Sequence, residues 1–105
     1  MQNVQVNRRD LLDEGKVQDF LDHNAEWRLE DGAILRTIKF NTYLAGIDFV
    51  NRIAKLAEEA NHHPDLLVGW RKVEVSLSTH DSGGITLLDL DLAGKIDTAS
   101  LAFAL

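Results

Sequence analysis

Three of the four histidines in this chain lie close to the predicted ends of secondary-structure elements. His62 and His63 are consecutive and precede Pro64, and His80 lies at the end of a predicted strand. An imidazole can donate or accept a proton near neutral pH, so this cluster suits general acid/base catalysis. The fourth histidine, His23, falls on the polar side of a short predicted helix, and we interpret it as a solvated residue.

Two other interpretations of the histidine cluster stay open on the residues alone. Adjacent histidines can lie on a loop without any chemical role. A three-histidine metal site needs imidazoles that converge on one point, whereas consecutive side chains diverge. No Asp or Glu stands at the spacing of a recognised zinc motif, and the absence of cysteine excludes disulfides and thiolate ligands. We therefore predict an active site without a metal ion.

Two carboxylates are candidates for supporting the histidines. Glu58 precedes His62 by one helical turn, so it can orient an imidazole, bind a ring N–H of a ligand, or simply face solvent. Asp89 follows Thr86 by three residues, and this spacing predicts a variant capping box at the start of a helix.

The helices that would position these residues have clear boundaries in the sequence. Asp13 can cap a helix that runs to about residue 23, and residues 42–60 have the periodicity of a second helix. Pro64 lacks an N–H and disfavours helical geometry at the preceding residue, so the second helix should end near Asn61. The histidine pair is therefore predicted to lie at a helix exit.

Four segments are predicted to be strands: residues 27–30, 34–40, 66–70 and 72–79. Asp31-Gly32 between the first two favours the positive φ angles of a tight hairpin turn. Apolar and polar residues alternate in the last segment, which indicates one buried face. The order α-β-β-α-β-β-α predicts an α+β fold, a four-stranded antiparallel sheet with three helices packed on one face.

The predicted final helix, from Thr86 to about residue 103, is apolar nearly all round. Its apolar residues are Leu88, Leu92, Ile96, Ala99 and Phe103 on one side, and Leu87, Leu90, Ala93 and Leu101 elsewhere. One small sheet cannot cover so much apolar surface, so we predict a homodimer or homotetramer.

Bulk properties restrict the class of protein. With 105 residues, 45% of them apolar, the chain suits one domain, in which residues 1–9 form a short arm. A net charge of −6 argues against direct nucleic-acid binding. We find neither a signal peptide nor a membrane-spanning stretch, and we expect a cytoplasmic protein without a membrane partner.

The candidate residues together resemble the pterin-4a-carbinolamine dehydratase family. That family's pattern combines a charged residue, His-His-Pro, an aromatic residue, a histidine and an aspartate at fixed spacings, which here are Glu58, His62-His63-Pro64, Trp70, His80 and Asp89. Further matching residues extend the likeness over roughly residues 11–100.

The resemblance implies a fold, a reaction and a set of site residues. Such an enzyme removes water from 4a-hydroxytetrahydropterin, gives quinonoid dihydropterin for aromatic amino acid hydroxylases, and uses neither cofactor nor metal. The active-site histidines match His62, His63 and His80. The implied substrate contacts are Glu58, Asn61, Pro64, Ser78, Thr79 and Asp89.

The resemblance also implies a second class of function. Some members dimerise with a homeodomain transcription factor, and degenerate relatives act in assembly of a carbon-fixation enzyme. The alternative to an enzyme is therefore a non-catalytic dimerisation or assembly partner. Many relatives carry an acidic residue at Asn61, an aromatic residue at Leu66 and a basic residue at Leu88, so a changed ligand preference is implied.

Overall fold

A computed structural model of the chain describes residues 7–105, so the first six residues of the predicted arm lie outside the described part. The elements are α1 (Glu14–His23), β1 (Arg28–Glu30), β2 (Ala33–Lys39), α2 (Tyr43–Ala60), β3 (Asp65–Gly69), β4 (Lys72–Leu77) and α3 (Leu87–Ser100), with a short 3₁₀ helix at His80–Ser82. This order confirms the predicted α+β fold.

The four strands form one antiparallel sheet in the order β1-β2-β4-β3. Asp31 and Gly32 connect β1 to β2 with φ angles of 49° and 76°, as a tight hairpin turn requires. The central strand β4 pairs with β2 through Ile34 opposite Leu77, and with β3 through Leu66 opposite Val75. β3 is consequently an edge strand.

The exit of α2 positions the histidine pair. Asn61 caps this helix in the left-handed conformation, with φ 49°, and its N–H donates to the carbonyl groups of Ala57 and Glu58. The chain therefore leaves the helix direction at Asn61, as Pro64 predicts. His62 and His63 no longer follow helical geometry, so they are free to point to different sides.

A single core joins the inner face of the sheet to the three helices. The inner residues of β4 are Val73, Val75 and Leu77, each with 0% exposure. The residues that pack against the sheet from the helices include Val17, Phe49, Ile53, Leu92, Ala93 and Ile96. Within the described chain, no helix covers the outer face of the sheet. This confirms the prediction that the three helices pack on one face.

Two details of the sequence interpretation are corrected. The strand expected to reach Thr79 ends at Leu77, because the pairing with β2 ends there and Thr79 instead forms an isolated bridge with Gly84. His80 therefore begins the 3₁₀ helix rather than ending a strand. The last helix ends at Ser100 instead of residue 103, because its hydrogen bonds tighten to an i→i−3 pattern from Leu101 onward.

The apolar residues of α3 and of the turn after it differ in exposure. Leu92 and Ile96 are in the core, and the exposed positions of this helix are Asp91, Gly94, Lys95 and Thr98. The sheet and α2 bury one side of the helix, whereas Leu87, Leu88 and Leu90 are half-buried and Leu101, directly after the helix, is 85% exposed. Large exposed apolar residues occur elsewhere, including Leu67 on β3 and Trp70 in the β3–β4 turn. No helix within residues 7–105 has the length and apolarity needed to cross a bilayer.

Candidate active site

His62 forms a buried pair with a carboxylate from a different helix. Its Nε2 lies 2.6 Å from Oδ1 of Asp89, and the exposed fractions of the two side chains are 9% and 0%. A carboxylate can only accept, so the hydrogen of the neutral ring is on Nε2 and its Nδ1 carries a lone pair. Asp89 therefore selects one tautomer of His62 and fixes the orientation of its ring.

A chain of hydroxyl groups holds Asp89 in turn. Oδ2 of Asp89 accepts from the hydroxyl of Thr79 at 2.8 Å and from the N–H of Thr86 at 2.9 Å. The predicted capping box of α3 is confirmed. Since the Thr79 hydroxyl donates to Asp89, it accepts from the Thr86 hydroxyl at 2.7 Å, which accepts from the N–H of Leu88. Every oxygen of this buried carboxylate is hydrogen-bonded, which makes its position rigid.

His63 forms a second pair with a carboxylate, but on the surface. Its Nε2 lies 2.5 Å from Oε2 of Glu58, and the side chains are 57% and 77% exposed. Glu58 thus contacts the histidine five residues later, although the spacing of one helical turn pointed to His62. The reason is the left-handed Asn61, which directs His62 inward and His63 outward.

His80 extends into solvent at the start of the 3₁₀ helix. Its side chain forms no hydrogen bond with any group in the described residues, whereas the neighbouring Ser78 hydroxyl donates to the carbonyl of Gly32 at 3.1 Å. Because no hydrogen bond within the described residues fixes the ring of His80, the ring can reorient when a ligand binds, and its exposure keeps it in contact with water.

Two adjoining clefts bring these groups together. The first, of about 230 Å³, is lined by Arg9, Asn61, His62, His63, Ser78, Thr79, His80 and Asp81. The second, of about 300 Å³, lies along the outer face of the sheet and is lined by Asp31, Gly32, Ala33, His63, Asp65, Ser76, Ser78, His80 and Gly83. His63, Ser78 and His80 belong to both, so the three predicted catalytic histidines line one continuous surface.

Three of the predicted substrate contacts lie outside both clefts. Asp89 is fully buried behind His62, and Glu58 is on the surface beside His63. Pro64 is half-buried and connects the histidine pair to β3. Within the described chain, no group of three or more His, Asp or Glu side chains is arranged to hold a metal ion.

Arg9 and Asp81 line the first cleft but were not among the predicted site residues. Asp81 follows His80 directly, and this adjacency was the only available signal for it. Arg9 is the last residue of the predicted N-terminal arm, and it reaches the site through contacts with residues more than seventy positions away. Local sequence patterns carry no signal for such a contact.

Comparisons with known proteins show which family this chain is similar to. A family model described as Pterin 4 alpha carbinolamine dehydratase matches residues 10–99. A protein of Natronomonas pharaonis, whose name assigns it provisionally to the pterin-4-alpha-carbinolamine dehydratases, is 47% identical over 88 residues, which cover 84% of this chain and 94% of the relative. A provisionally named dehydratase of Mycobacterium tuberculosis is 51% identical over 71 residues, covering 68% of this chain and 76% of the relative.

Two solved structures share the fold. The transcriptional coactivator/pterin dehydratase from Brucella melitensis superposes with a TM-score of 0.80 at 31% identity, covering 85% of this chain and 97% of that one. A pterin dehydratase-like protein identified as a RuBisCO assembly factor in the alpha-carboxysome superposes with a TM-score of 0.58 at 20% identity, covering 70% and 86%. The second likeness concerns the fold alone.

Proposed function

The chain belongs to the pterin 4 alpha carbinolamine dehydratase family, and we propose that it removes water from a 4a-hydroxytetrahydropterin to give the quinonoid dihydropterin. The observation that carries this proposal is the buried His62–Asp89 pair on the wall of a cleft that also contains His63 and His80. Asp89 completes the capping box of α3 through Oδ2, so its second oxygen, Oδ1, is available to orient the ring of His62 at the cleft.

The reaction needs one acid and one base. The C4a–O bond breaks as the hydroxyl group takes a proton and leaves as water, while N5 loses its hydrogen and forms the new C4a=N5 double bond. A proton delivered to the leaving oxygen and a proton taken from N5 therefore balance, and no redox partner or metal is required. Two imidazoles of opposite protonation state can perform both transfers.

We assign the base to His62. Asp89 keeps the ring hydrogen on Nε2, so the neutral ring presents the lone pair of Nδ1, which has no partner among the described residues. As Nδ1 takes the N5 hydrogen, the ring becomes a cation, and the adjacent carboxylate stabilises that charge at 2.6 Å in a buried setting. Asp89 is thus a positioning residue that acts through His62.

We assign the acid to His80 and a binding role to His63. His80 approaches the clefts from the 3₁₀ helix, whereas His62 approaches from the exit of α2, so the two rings can address a flat ligand from different elements. The solvent contact of His80 allows it to be reprotonated between turnovers. His63 borders both clefts, and because its Nε2 donates to Glu58, the Nδ1 of its neutral ring can accept a hydrogen bond from the ligand. Asn61, Ser78 and Thr79 complete the proposed set of ligand contacts.

The direct test is turnover of freshly generated 4a-hydroxytetrahydropterin in a stopped assay. We expect the protein to accelerate loss of the substrate well above its spontaneous dehydration, in the presence of a chelator as well as without it. A rate equal to the spontaneous one would overturn the proposal and favour a role as a dimerisation or assembly partner on the same fold. The exposed Leu67 and Trp70 are where such a partner would find apolar surface.

We further propose that the protein forms a homodimer or homotetramer and serves an aromatic amino acid hydroxylase in the cytoplasm. The support for self-association is the edge strand β3, whose outer side pairs with no other strand within residues 7–105 and whose Leu67 is 69% exposed. Sedimentation at micromolar concentration tests this, and a monomeric wild type would contradict it.

A further inference from the structure

Arg9 supplies a permanent positive charge to the histidine cleft. It is the one arginine or lysine among the described residues that line this cleft. The family match begins at residue 10, directly after Arg9, so this contribution lies outside the part of the chain that the family model covers. The guanidinium places a fixed positive charge in the same cleft as the three histidines.

Hydrogen bonds hold the backbone around Arg9 next to the loop that follows His80. The carbonyl of Arg9 accepts from the hydroxyl of Ser82, and the N–H of Leu12 donates to the carbonyl of Ile85 at 2.9 Å. The side chain of Leu11 lies against Gly84, at 3.1 Å from the position that a Cβ would take there. Residues 9–12 therefore run along the loop that follows His80, and we call them the N-terminal strap.

Stability does not account for the guanidinium. Its charged contact is Asp81, with Nη1 and Oδ2 3.8 Å apart and an Asp81 side chain that is 90% exposed. An ion pair of this length and exposure contributes little. The strap is held in place by hydrogen bonds of the Arg9 and Leu12 backbone and by the side chain of Leu11. None of these contacts involves the guanidinium of Arg9. The preceding residue, Arg8, instead forms an ion pair with Asp91 on α3.

We propose that Arg9 is a substrate-positioning residue whose guanidinium donates hydrogen bonds to an oxygen acceptor of the bound pterin. The planar guanidinium carries several N–H donors, which suit a carbonyl or carboxylate oxygen. Among the other residues that line the cleft, Asp81 carries an opposite charge that could compensate that of Arg9. This inference rests on the proposed function for the identity of the ligand. It adds a contact from the N-terminal strap to a site built by the exits of α2 and β4.

The experiment compares Arg9→Ala, Arg9→Lys and the matched control Arg8→Ala. Each variant is assayed for KM and kcat with 4a-hydroxytetrahydropterin, and for the Kd of oxidised biopterin, a stable pterin, by calorimetry. We expect Arg9→Ala to raise KM and Kd about tenfold with kcat nearly unchanged, because a charge-assisted hydrogen bond at a half-exposed site is lost. Arg9→Lys should recover part of the loss, and Arg8→Ala should behave as the wild type.

The outcomes separate this inference from the proposed function. If Arg9→Ala binds biopterin and turns over substrate with wild-type KM, the role of Arg9 is overturned while the dehydratase proposal stands. If the wild type binds biopterin without any turnover and Arg9→Ala weakens the binding, the dehydratase proposal fails while Arg9 remains a pterin contact. A wild type that does not bind pterin at all would overturn both. An equal loss in Arg8→Ala would overturn the role of the Arg9 guanidinium, because it would show that any disturbance of the segment next to the strap weakens binding.

Discussion

Two histidine–carboxylate pairs lie side by side in this protein, with nearly the same geometry and very different surroundings. His62 and Asp89 are 2.6 Å apart and almost fully buried. His63 and Glu58 are 2.5 Å apart and mostly exposed. Consecutive residues thus form one pair inside the protein and one pair on its surface, because Asn61 turns the chain between α2 and the histidines.

Because the two distances are nearly equal, burial determines whether a histidine–carboxylate pair suits proton transfer or ligand binding. In the interior the effective dielectric constant is low and the hydroxyl groups of Thr79 and Thr86 hold Asp89 in place, so one tautomer of His62 is strongly favoured. On the surface, water and salt screen the His63–Glu58 pair, and both side chains retain freedom. The buried pair suits proton transfer, and the exposed pair suits adjustable ligand contact.

The largest single effect is expected at His62. His62→Ala should lower kcat by about 10²- to 10⁴-fold, since a general base is removed. His62→Gln is the matched variant, because its amide can still donate to Asp89 but cannot accept the N5 hydrogen. Steady-state kinetics should therefore show similar losses for both, with a smaller drop in melting temperature for His62→Gln. His23→Ala, on the surface of α1, should change neither value.

Removal of the charge behind His62 should have the next largest effect. Asp89→Asn replaces an acceptor that satisfies three donors with a side chain that must itself present an N–H group. We expect kcat to fall about 10- to 100-fold and stability to fall by roughly 1–3 kcal/mol. Denaturant unfolding and kinetics measure the two effects separately. If Asp89→Asn kept the wild-type kcat and KM, the proposal that Asp89 selects the reactive tautomer of His62 would be contradicted.

His63 should affect binding more than chemistry. His63→Ala removes a residue that lines both clefts but leaves the buried pair intact. KM should therefore rise severalfold while kcat changes less, and the KM-to-kcat comparison with His62→Ala measures the contrast. A loss of kcat as large as that of His62→Ala would mean that the exposed pair also carries proton transfer.

The smallest effect is expected at Glu58. Glu58→Gln breaks an exposed ion pair, whose contribution should stay below about 1 kcal/mol and decrease further with added salt. The melting temperature should hardly change, and KM should rise by no more than a few-fold at low ionic strength. A large loss of stability would contradict the solvent-screened character of this pair.

The parts of the fold that depend on neighbouring residues were predictable from the sequence. Asp13, Thr42 and Thr86 all cap helices in the structure through contacts within three residues. The Asp31-Gly32 turn and the end of α2 at Asn61 are likewise local, because they follow from backbone preferences of the residues themselves.

The partners within the site were less predictable, because they depend on the packed fold. The capping role of Asp89 was expected, but its bond to His62 joins residues twenty-seven positions apart. Glu58 contacts His63 because the helix stops before the i+4 geometry applies to His62. The buried side of α3 was not predictable either, because the periodicity of an almost entirely apolar helix does not show which side meets α2 and the sheet.

The central claim, that His62 and His80 divide the acid and base roles, is tested most directly by the double variant His62→Ala with His80→Ala. Its turnover number is measured beside both single variants, with circular dichroism to establish that each remains folded. The double variant should retain only the spontaneous rate of dehydration, and its loss should be less than the product of the single losses because both groups act on one transition state. A folded double variant that dehydrates 4a-hydroxytetrahydropterin at nearly the wild-type rate would contradict the assignment.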